Sequence, residues 1–467
     1  MNKNTIPPPS QASGLATLIV VSAVQFLAPF MMSSVGIALP AIGRDLSANA
    51  VELGLVETVY ILAVALFLLP AGRLGDILGR KKIFIRGTIL FIIATLVIPF
   101  SSSIEIFILV RFFQGAGAAM IAGTSLAILY SAMAPKQRGK AMGIVVGFIY
   151  GGLSAGPVLG GFLVTHLGWQ WIFYTALPLE ITALILTLWK LKGEWAESEG
   201  EPFDLKGTLI YMVTLSFLII GTINRTQGNG YTVMSLAGVL GLGGFFCFEY
   251  FRPFPILNVR LLFSNRVFAF SNLATLINYA ASFGLTFFLS LYLQAVKGLS
   301  PQAAGGVLVV QPLVQSLLSP LAGRLSERVQ PARLSTLGMT ICALGLAGAS
   351  TLGRTTPLWM VMTMLSFMGL GFALFSTPNM LTVMGSVAAK HYGTASSLVG
   401  TMRSFGMLVS MTAVTTIVSF YMGARAVAPE TLDLFLQSLH VAFMGFSLLC
   451  LVGVFFSMAR VPGSDLA

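Results

Sequence analysis

Along the chain, long apolar stretches alternate with short polar joints. The stretches run well past the roughly 10 residues of a membrane barrel strand and reach the roughly 20 that let a helix cross hydrocarbon. Fourteen can be marked off, at 14–39, 50–71, 83–101, 104–131, 139–164, 169–190, 205–223, 231–251, 267–293, 303–323, 333–352, 357–384, 394–421 and 437–459. The third and fourth part at Ser101–Ser103. The pattern predicts an all-α integral membrane protein with 14 transmembrane helices. The polar start carries Pro7, Pro8 and Pro9, and the apolar run after it is too long for a cleaved leader, so it reads as the first membrane helix.

Loop charge tests the count. With both termini on one side, that side holds 20 Lys or Arg and the other holds five, namely Arg44, Arg225, Lys297, Arg354 and Arg425. Arg111 and Arg403 fall inside helices. The imbalance follows the rule that basic loops stay cytoplasmic, so both termini are expected there. An odd number of helices would break the alternation.

The chain also echoes itself. Gly72-Arg73-Leu74 follows Pro70 and precedes Asp76, while Gly323-Arg324-Leu325 follows Pro320 and precedes Glu327. Aligning Gly72 on Gly323 places Asp76 on Glu327. Both copies sit just after a helix. The expected plan is a cytoplasmic tail (1–13), a six-helix bundle (14–192), a charged linker (193–204), two inserted helices (205–251), a second linker (252–266), a second six-helix bundle (267–459) and a tail (460–467). Two six-helix halves with nested repeats are a transporter architecture.

Composition narrows the function classes. Only 9% of the 467 residues are charged and 56% are hydrophobic, which excludes a soluble globular enzyme and a disordered chain. The net charge of +11 is explained by basic loops, and no aromatic-interleaved basic patch suggests nucleic acid. Cys247, Cys342 and Cys450 lie in apolar runs, and His166, His391 and His440 are scattered, so no metal set is expected. No phosphate-cradling Gly-Lys-Ser/Thr loop is present, and no cofactor is expected; the expected driving force is a proton gradient.

Three motifs carry chemistry. Gly72-Arg73-Leu74-Gly75-Asp76-Ile77-Leu78-Gly79-Arg80-Lys81-Lys82 offers a tight turn, an acid and a basic cluster that can hold one conformation and release another. The expected conformational gate is Gly72, Asp76, Gly79, Arg80 and Lys81; plain basic anchoring is the alternative. In the fourth helix, Arg111 and Gln114 share a face, and an intramembrane Arg must face protein or a cavity unless it snorkels. In the fifth, Gly152, Gly156 and Gly160 form a small-residue stripe with Gly161 beside it, and Pro157 predicts a kink.

With these motifs the chain resembles the major facilitator superfamily, and more narrowly its fourteen-helix drug:proton antiporter family. The loop after the second helix, Arg111–Gly117 and the Gly-Pro run Gly152–Gly161 resemble that family's motifs. So do Trp169-Gln170-Trp171-Ile172-Phe173 with Pro178, Tyr292-Leu293-Gln294 through Gly305, and Gly393 through Gly406. The resemblance spans nearly the whole chain. It implies a major facilitator fold of two six-helix bundles plus two inserted helices, in the inner membrane of a bacterium. Where the family carries a helix-1 acid before Ala38-Leu39-Pro40, this chain has Met31. Gln170 and Ala176 replace the family's Arg and Asn.

Few acids remain at membrane depth. Glu57 shares a face with Tyr60 and lies at a depth similar to Arg111, and Glu180 lies near the middle of the sixth helix. A carboxylate that alternates between a dry setting and an arginine's neighbourhood can load and release a proton. Glu57, with Glu180 second, is therefore the expected proton-coupling acid. Arg111, Gln114 and Tyr60 are its partners or substrate contacts. A permanent Glu57–Arg111 ion pair and direct substrate binding are the other readings. Arg403 reads as structural or as a substrate contact. The substrate cavity is expected to use Gln25, Met31, Asn278, Tyr279, Gln311, Gln315, Phe375 and Asn379.

The expected function is export of amphipathic or cationic drugs in exchange for protons by alternating access. The expected partners are a small-molecule substrate, protons and the lipid bilayer, with no nucleic acid; a monomer is expected, alone or with accessory efflux proteins. The alternatives are export of a neutral or anionic metabolite, lipid or siderophore, and a non-transporting sensor or assembly factor. No enzyme activity is expected.

Overall fold

The computed structural model describes residues 11–191, 193–223, 228–423 and 429–460. The two tail ends, Lys192, Arg225 and Arg425 lie outside them. Among the described residues, 14 helices are long and apolar enough to cross a membrane, and no strand occurs. In chain order they are α1 Gly14–Asp45, α2 Glu52–Leu78, α3 Arg80–Phe100, α4 Ile104–Ala132, α5 Pro135–His166, α6 Gln170–Lys190 and α7 Leu205–Thr222. Then follow α8 Asn229–Tyr250, α9 Arg266–Val296, α10 Pro301–Leu325, α11 Pro331–Ala349, α12 Leu358–Gly385, α13 Ala389–Met422 and α14 Leu432–Ala459. In hydrocarbon a backbone must satisfy its own polar groups, so apolar stretches of this length fold as helices.

The helices sort into two halves and an insertion. In the first half α2 and α3 pack on α4, and α1 packs on α5. In the second, α11 packs on α12 and α14, and α9 packs on α13 and α14. Each half has its own apolar core, around Phe84, Phe107 and Phe173 in one and Phe288, Phe372 and Phe443 in the other. The inserted α7 and α8 pair with each other, and the Tyr211 hydroxyl on α7 donates to the Ala65 carbonyl of α2 at 2.9 Å.

Two seams join the halves, α2 against α13 and α5 against α10. The sequence echo maps α2 onto α10 and α5 onto α13, so the seams are equivalent. Glycine makes both possible. A side chain at Gly72 would run into Ser397 and the Gly393 carbonyl; one at Gly323 would run into the Gly139 carbonyl. Backbones approach this closely only where Cβ atoms are missing.

Several boundaries differ from the sequence pattern. α1 continues through Pro40 to Asp45, since neighbouring helices let a membrane helix tolerate proline. The kink expected at Pro157 is a π turn over Gly156–Gly160, which absorbs the missing backbone donor. α9 is interrupted at Phe283 and ends in a second π turn, Tyr292–Val296, which the apolar pattern did not signal.

The stripe on α5 has a purpose that can be weighed. A Cβ at Gly152 would overlap the backbone of Phe26 on α1, whereas Gly243 on α8 faces open space. Gly152→Val is expected to destabilise the first half by about 1–3 kcal/mol, and Gly243→Ala to be neutral or stabilising. Thermal melts of the purified variants check this; equal melting temperatures would refute the packing role.

Candidate functional site

Gly79 has φ 111°, a left-handed conformation that suits glycine, and it turns the chain from α2 into α3. The turn brings Arg80 back over Asp76. Arg80 Nε and a terminal guanidinium nitrogen donate to Asp76 Oδ1 at 2.9 and 2.7 Å, with both side chains fully buried. From the other half, the Gly393 and Thr394 amides donate to Oδ1 and Oδ2 at 2.9 Å each, and the Thr394 hydroxyl adds a bond at 3.0 Å. One carboxylate thus receives five donors, three of them from the first turn of α13. An anion at a helix N-terminus is favoured by the unpaired amides and the helix dipole. Arg80 also donates to the Ala389 carbonyl at 2.6 Å and to Ser131 at 3.0 Å.

The segment 193–204 is folded beneath this latch. Glu194 accepts the Lys81 amide at 2.9 Å, Ser198 N–H donates to the Asp76 carbonyl at 2.9 Å, and Arg73 pairs with Glu201 at 2.5 Å. Ser198 also bonds the Lys390 carbonyl across to the second half at 3.3 Å. The expected linker is therefore a strap; its acids meet the basic cluster of the loop above it. Lys81 joins the latch through its backbone.

The second polar constellation lies inside the first half. Glu57 on α2 and Arg111 on α4 are 3.9 Å apart, close enough for Coulomb attraction and too far for a hydrogen bond. The Glu57 side chain is 24% exposed while that of Arg111 is fully buried. The guanidinium carbon sits 4.1 Å above the Tyr60 ring, a cation–π contact. Arg111 donates to Gln114 at 2.7 Å, and Gln114 donates to Thr95 on α3 at 2.9 Å. The Thr95 hydroxyl touches both the Phe91 carbonyl (2.9 Å) and Glu180 Oε1 on α6 (3.2 Å). Two acids on different helices are thus joined through Arg111, Gln114 and Thr95. Among the described residues, Glu180 Oε2 and the Arg111 Nε have no hydrogen-bond partner. Thr95 is the member that sequence reasoning missed; a hydroxyl in an apolar helix carries no periodic signal.

The expected cavity residues separate. Tyr279 on α9 shares a 2.7 Å hydroxyl–hydroxyl hydrogen bond with Tyr150 on α5, across the halves. Phe372 packs edge-on to Tyr279, and the charge of Arg403 acts on it. Gln315 donates to Ser376 at 3.3 Å, and Gln311 is half-buried on the same helix. Asn278 is fully buried. Met31 and Phe375 are packed in the cores of their halves, and Gln25 is buried on α1. Asn379 is taken up elsewhere: it donates to Thr275 at 2.8 Å and accepts from Arg460 at 2.5 Å. Gly152, Gly156 and Gly160 face α1, while Gly161 lies in ordinary contact with Ile37. Tyr150 and Phe372 were not anticipated, because α5 was read only for its glycines.

Known proteins place this architecture. A family model described as Major Facilitator Superfamily matches residues 21–411. The riboflavin transporter RibZ of Clostridioides difficile is 30% identical over 392 residues, covering 83% of this chain and 84% of that protein. The tetracenomycin C resistance and export protein of Streptomyces glaucescens is 29% identical, covering 83% and 73%. The crystal structure of a double-Trp XylE variant superposes with a TM-score of 0.71 at 13% identity, covering 96% of each chain, which speaks to the fold alone.

Removing one partner of a buried, hydrogen-bonded ion pair costs about 3–5 kcal/mol. Asp76→Asn is therefore expected to loosen the α2–α13 seam. With Ser396→Cys as reporter, in a background where exposed Cys247 is replaced by Ser, thiol alkylation should quicken about tenfold or more. An unchanged rate would remove the latch.

Proposed function

The chain belongs to the Major Facilitator Superfamily and is a multi-pass membrane transporter, and we propose that it exports amphipathic or cationic toxic compounds in exchange for protons across a bacterial cytoplasmic membrane. Both termini and the basic loops then face the cytoplasm. The observation that carries the reading is the unbonded Glu57–Arg111 pair, in which Glu57 is partly exposed and Arg111 fully buried. An ion pair with no hydrogen bond is held by charge alone, so a proton on Glu57 releases it. Asp76 and Arg80, by contrast, are locked by several bonds and serve as the gate. Export is supported by the resistance and export protein among the relatives.

The halves are joined from the basic face to mid-depth, through Asp76, the Lys140–Glu327 bond at 2.7 Å, the Ser316–Gly147 bond at 2.7 Å and the Tyr150–Tyr279 pair. This is the state shut towards the cytoplasm. Protons reach Glu57 from outside, Arg111 loses its counter-charge, and the guanidinium is left to Gln114 and the Tyr60 ring. Glu180 is the second acid. Thr95 has one hydroxyl proton and two lone pairs. It is satisfied when it donates to Phe91, accepts from Gln114 and accepts from a protonated Glu180. A change at Arg111 is felt at Glu180 through that chain.

A second reading has an observation of its own. The relative RibZ is named a riboflavin transporter, and Arg403, whose charge acts on Tyr279, has no ion-pair partner among the described residues. Both suit a neutral or anionic aromatic substrate.

Dye and flavin efflux from pump-deficient cells separates these readings. Glu57→Gln is expected to lower gradient-dependent export at least tenfold. Glu180→Gln and Thr95→Val are expected to lower it by a smaller factor. Normal proton-driven export in Glu57→Gln would sink the coupling assignment. Export of flavin with no export of cationic dye would replace the drug reading by the second one.

A further inference from the structure

A cavity of about 800 Å³ opens on the basic face, away from the Glu57 network. Its size lies within the range of small-molecule sites. Both halves build it. Tyr130, Lys136 and Arg138 come from the joint of α4 and α5, and Asn265, Glu327 and Arg460 come from the second half. Three cations face one carboxylate. Glu327 already accepts the Lys140 amide at 2.7 Å, so its charge is partly committed.

The three cations are held differently. Arg460 is buried and donates to Ser271 at 2.9 Å, to Asn379, to the Ser457 carbonyl at 2.9 Å, to the Ser457 and Ser335 hydroxyls and to the Ala332 carbonyl, all neutral acceptors, so it brings the cavity charge rather than a free N–H. Among the described residues it has no carboxylate partner. Arg138 lies 4.1 Å over the Tyr130 ring and donates from Nε to the Met133 carbonyl at 3.2 Å. This pins the guanidinium in place. Lys136 is exposed at the rim. A pocket in which, among the described residues, three cations outnumber one partly committed acid favours an anion.

We propose that this cavity binds a phosphate-bearing anion, and that binding favours the state in which the halves are closed at the basic face. The phosphate belongs either to a lipid headgroup or to a free soluble ligand. The coupling follows from construction. When the halves part at this face, Lys136 and Arg138 move away from Arg460, and the site is dismantled. A ligand that binds one state shifts the equilibrium by its differential affinity for that state.

The test uses the full-length purified protein and does not depend on transport. Inorganic phosphate is titrated at constant ionic strength, and separately phosphatidylglycerol is compared with phosphatidylcholine in mixed micelles; the readout is the rise in melting temperature. Wild type and Lys82→Gln, an exposed basic-face control outside the cavity, should respond alike. Lys136→Gln/Arg138→Gln should bind about tenfold more weakly or worse. Lys136→Gln alone, which leaves packing untouched, should shift in the same direction. Asp76→Asn keeps every cavity residue but should also weaken binding, because the cavity needs the closed seam. A response to phosphatidylglycerol alone assigns the lipid headgroup, and a response to inorganic phosphate as well assigns a free ligand. No response in wild type, or a full response in the double variant, overturns the site. A full response in Asp76→Asn overturns its link to closure.

Discussion

The architecture turns on one buried carboxylate. Asp76 is removed from water together with Arg80, an arrangement whose desolvation cost is offset only when the remaining hydrogen-bonding sites are filled. Arg80 fills two of them and the N-terminus of α13 fills three. The charge therefore belongs to both halves at once. It is stable only while Gly72 and Gly393 let the backbones meet. The equivalent acid in the repeat, Glu327, also reaches a helix start, but it receives the Lys140 amide in an exposed setting. At the position equivalent to Arg80 the chain has Pro331. The two seams are thus equivalent in the repeat and differ in how their acid is held. An interface held by one dry, many-bonded charge opens as a unit, because losing any donor leaves that charge undercompensated.

α2 carries both polar centres. Glu57 and Asp76 are separated by about 28 Å of helix at 1.5 Å per residue. At one end the acid is dry and fully bonded; at the other it is partly exposed and 3.9 Å from its arginine. On the proposed reading the two acids have different tasks. A group meant to exchange a proton must be reachable and loosely held, and a group meant to hold an interface must be neither. On the proposed reading, the helix transmits the charge state of its outer end to the seam at its inner end as a rigid rod.

Much of this was legible in the sequence, for reasons that also explain what was not. Helix number follows from apolar length, and the seam equivalence follows from the echo between Gly72-Arg73-Leu74 and Gly323-Arg324-Leu325. The approach of Glu57 and Arg111 followed from similar depth on two helices. Facing did not follow. A membrane helix is apolar all round, so its period cannot tell lipid from core. For that reason Glu180 could not be assigned to Thr95, nor Tyr279 to Tyr150, and Asn379 was placed in the cavity when Arg460 claims it. The strap at 193–204 was hidden for another reason: its charges read as solvated, and only the fold shows Glu194 and Glu201 turned onto α3 and α2.

The missing helix-1 acid gains a physical sense from these positions. Glu57 Oε1 lies near Gly36 on α1, five residues beyond Met31 and so about 7.5 Å along that helix. The first half keeps a carboxylate beside α1, supplied from α2. At membrane depth its charged partner is Arg111. With Glu57 ionised the charge of Arg111 is offset; with Glu57 protonated that offset is gone. On the proposed reading, a lipophilic cation is admitted more readily before the proton arrives than after it, since charges repel strongly where water is scarce. Proton and cation then compete for the same negative charge, which is what the proposed exchange requires. A neutral aromatic substrate would not feel that competition, so its transport would need a coupling step beyond Glu57. The charge carried by Glu57, more than the shape of the cavity, separates the two readings.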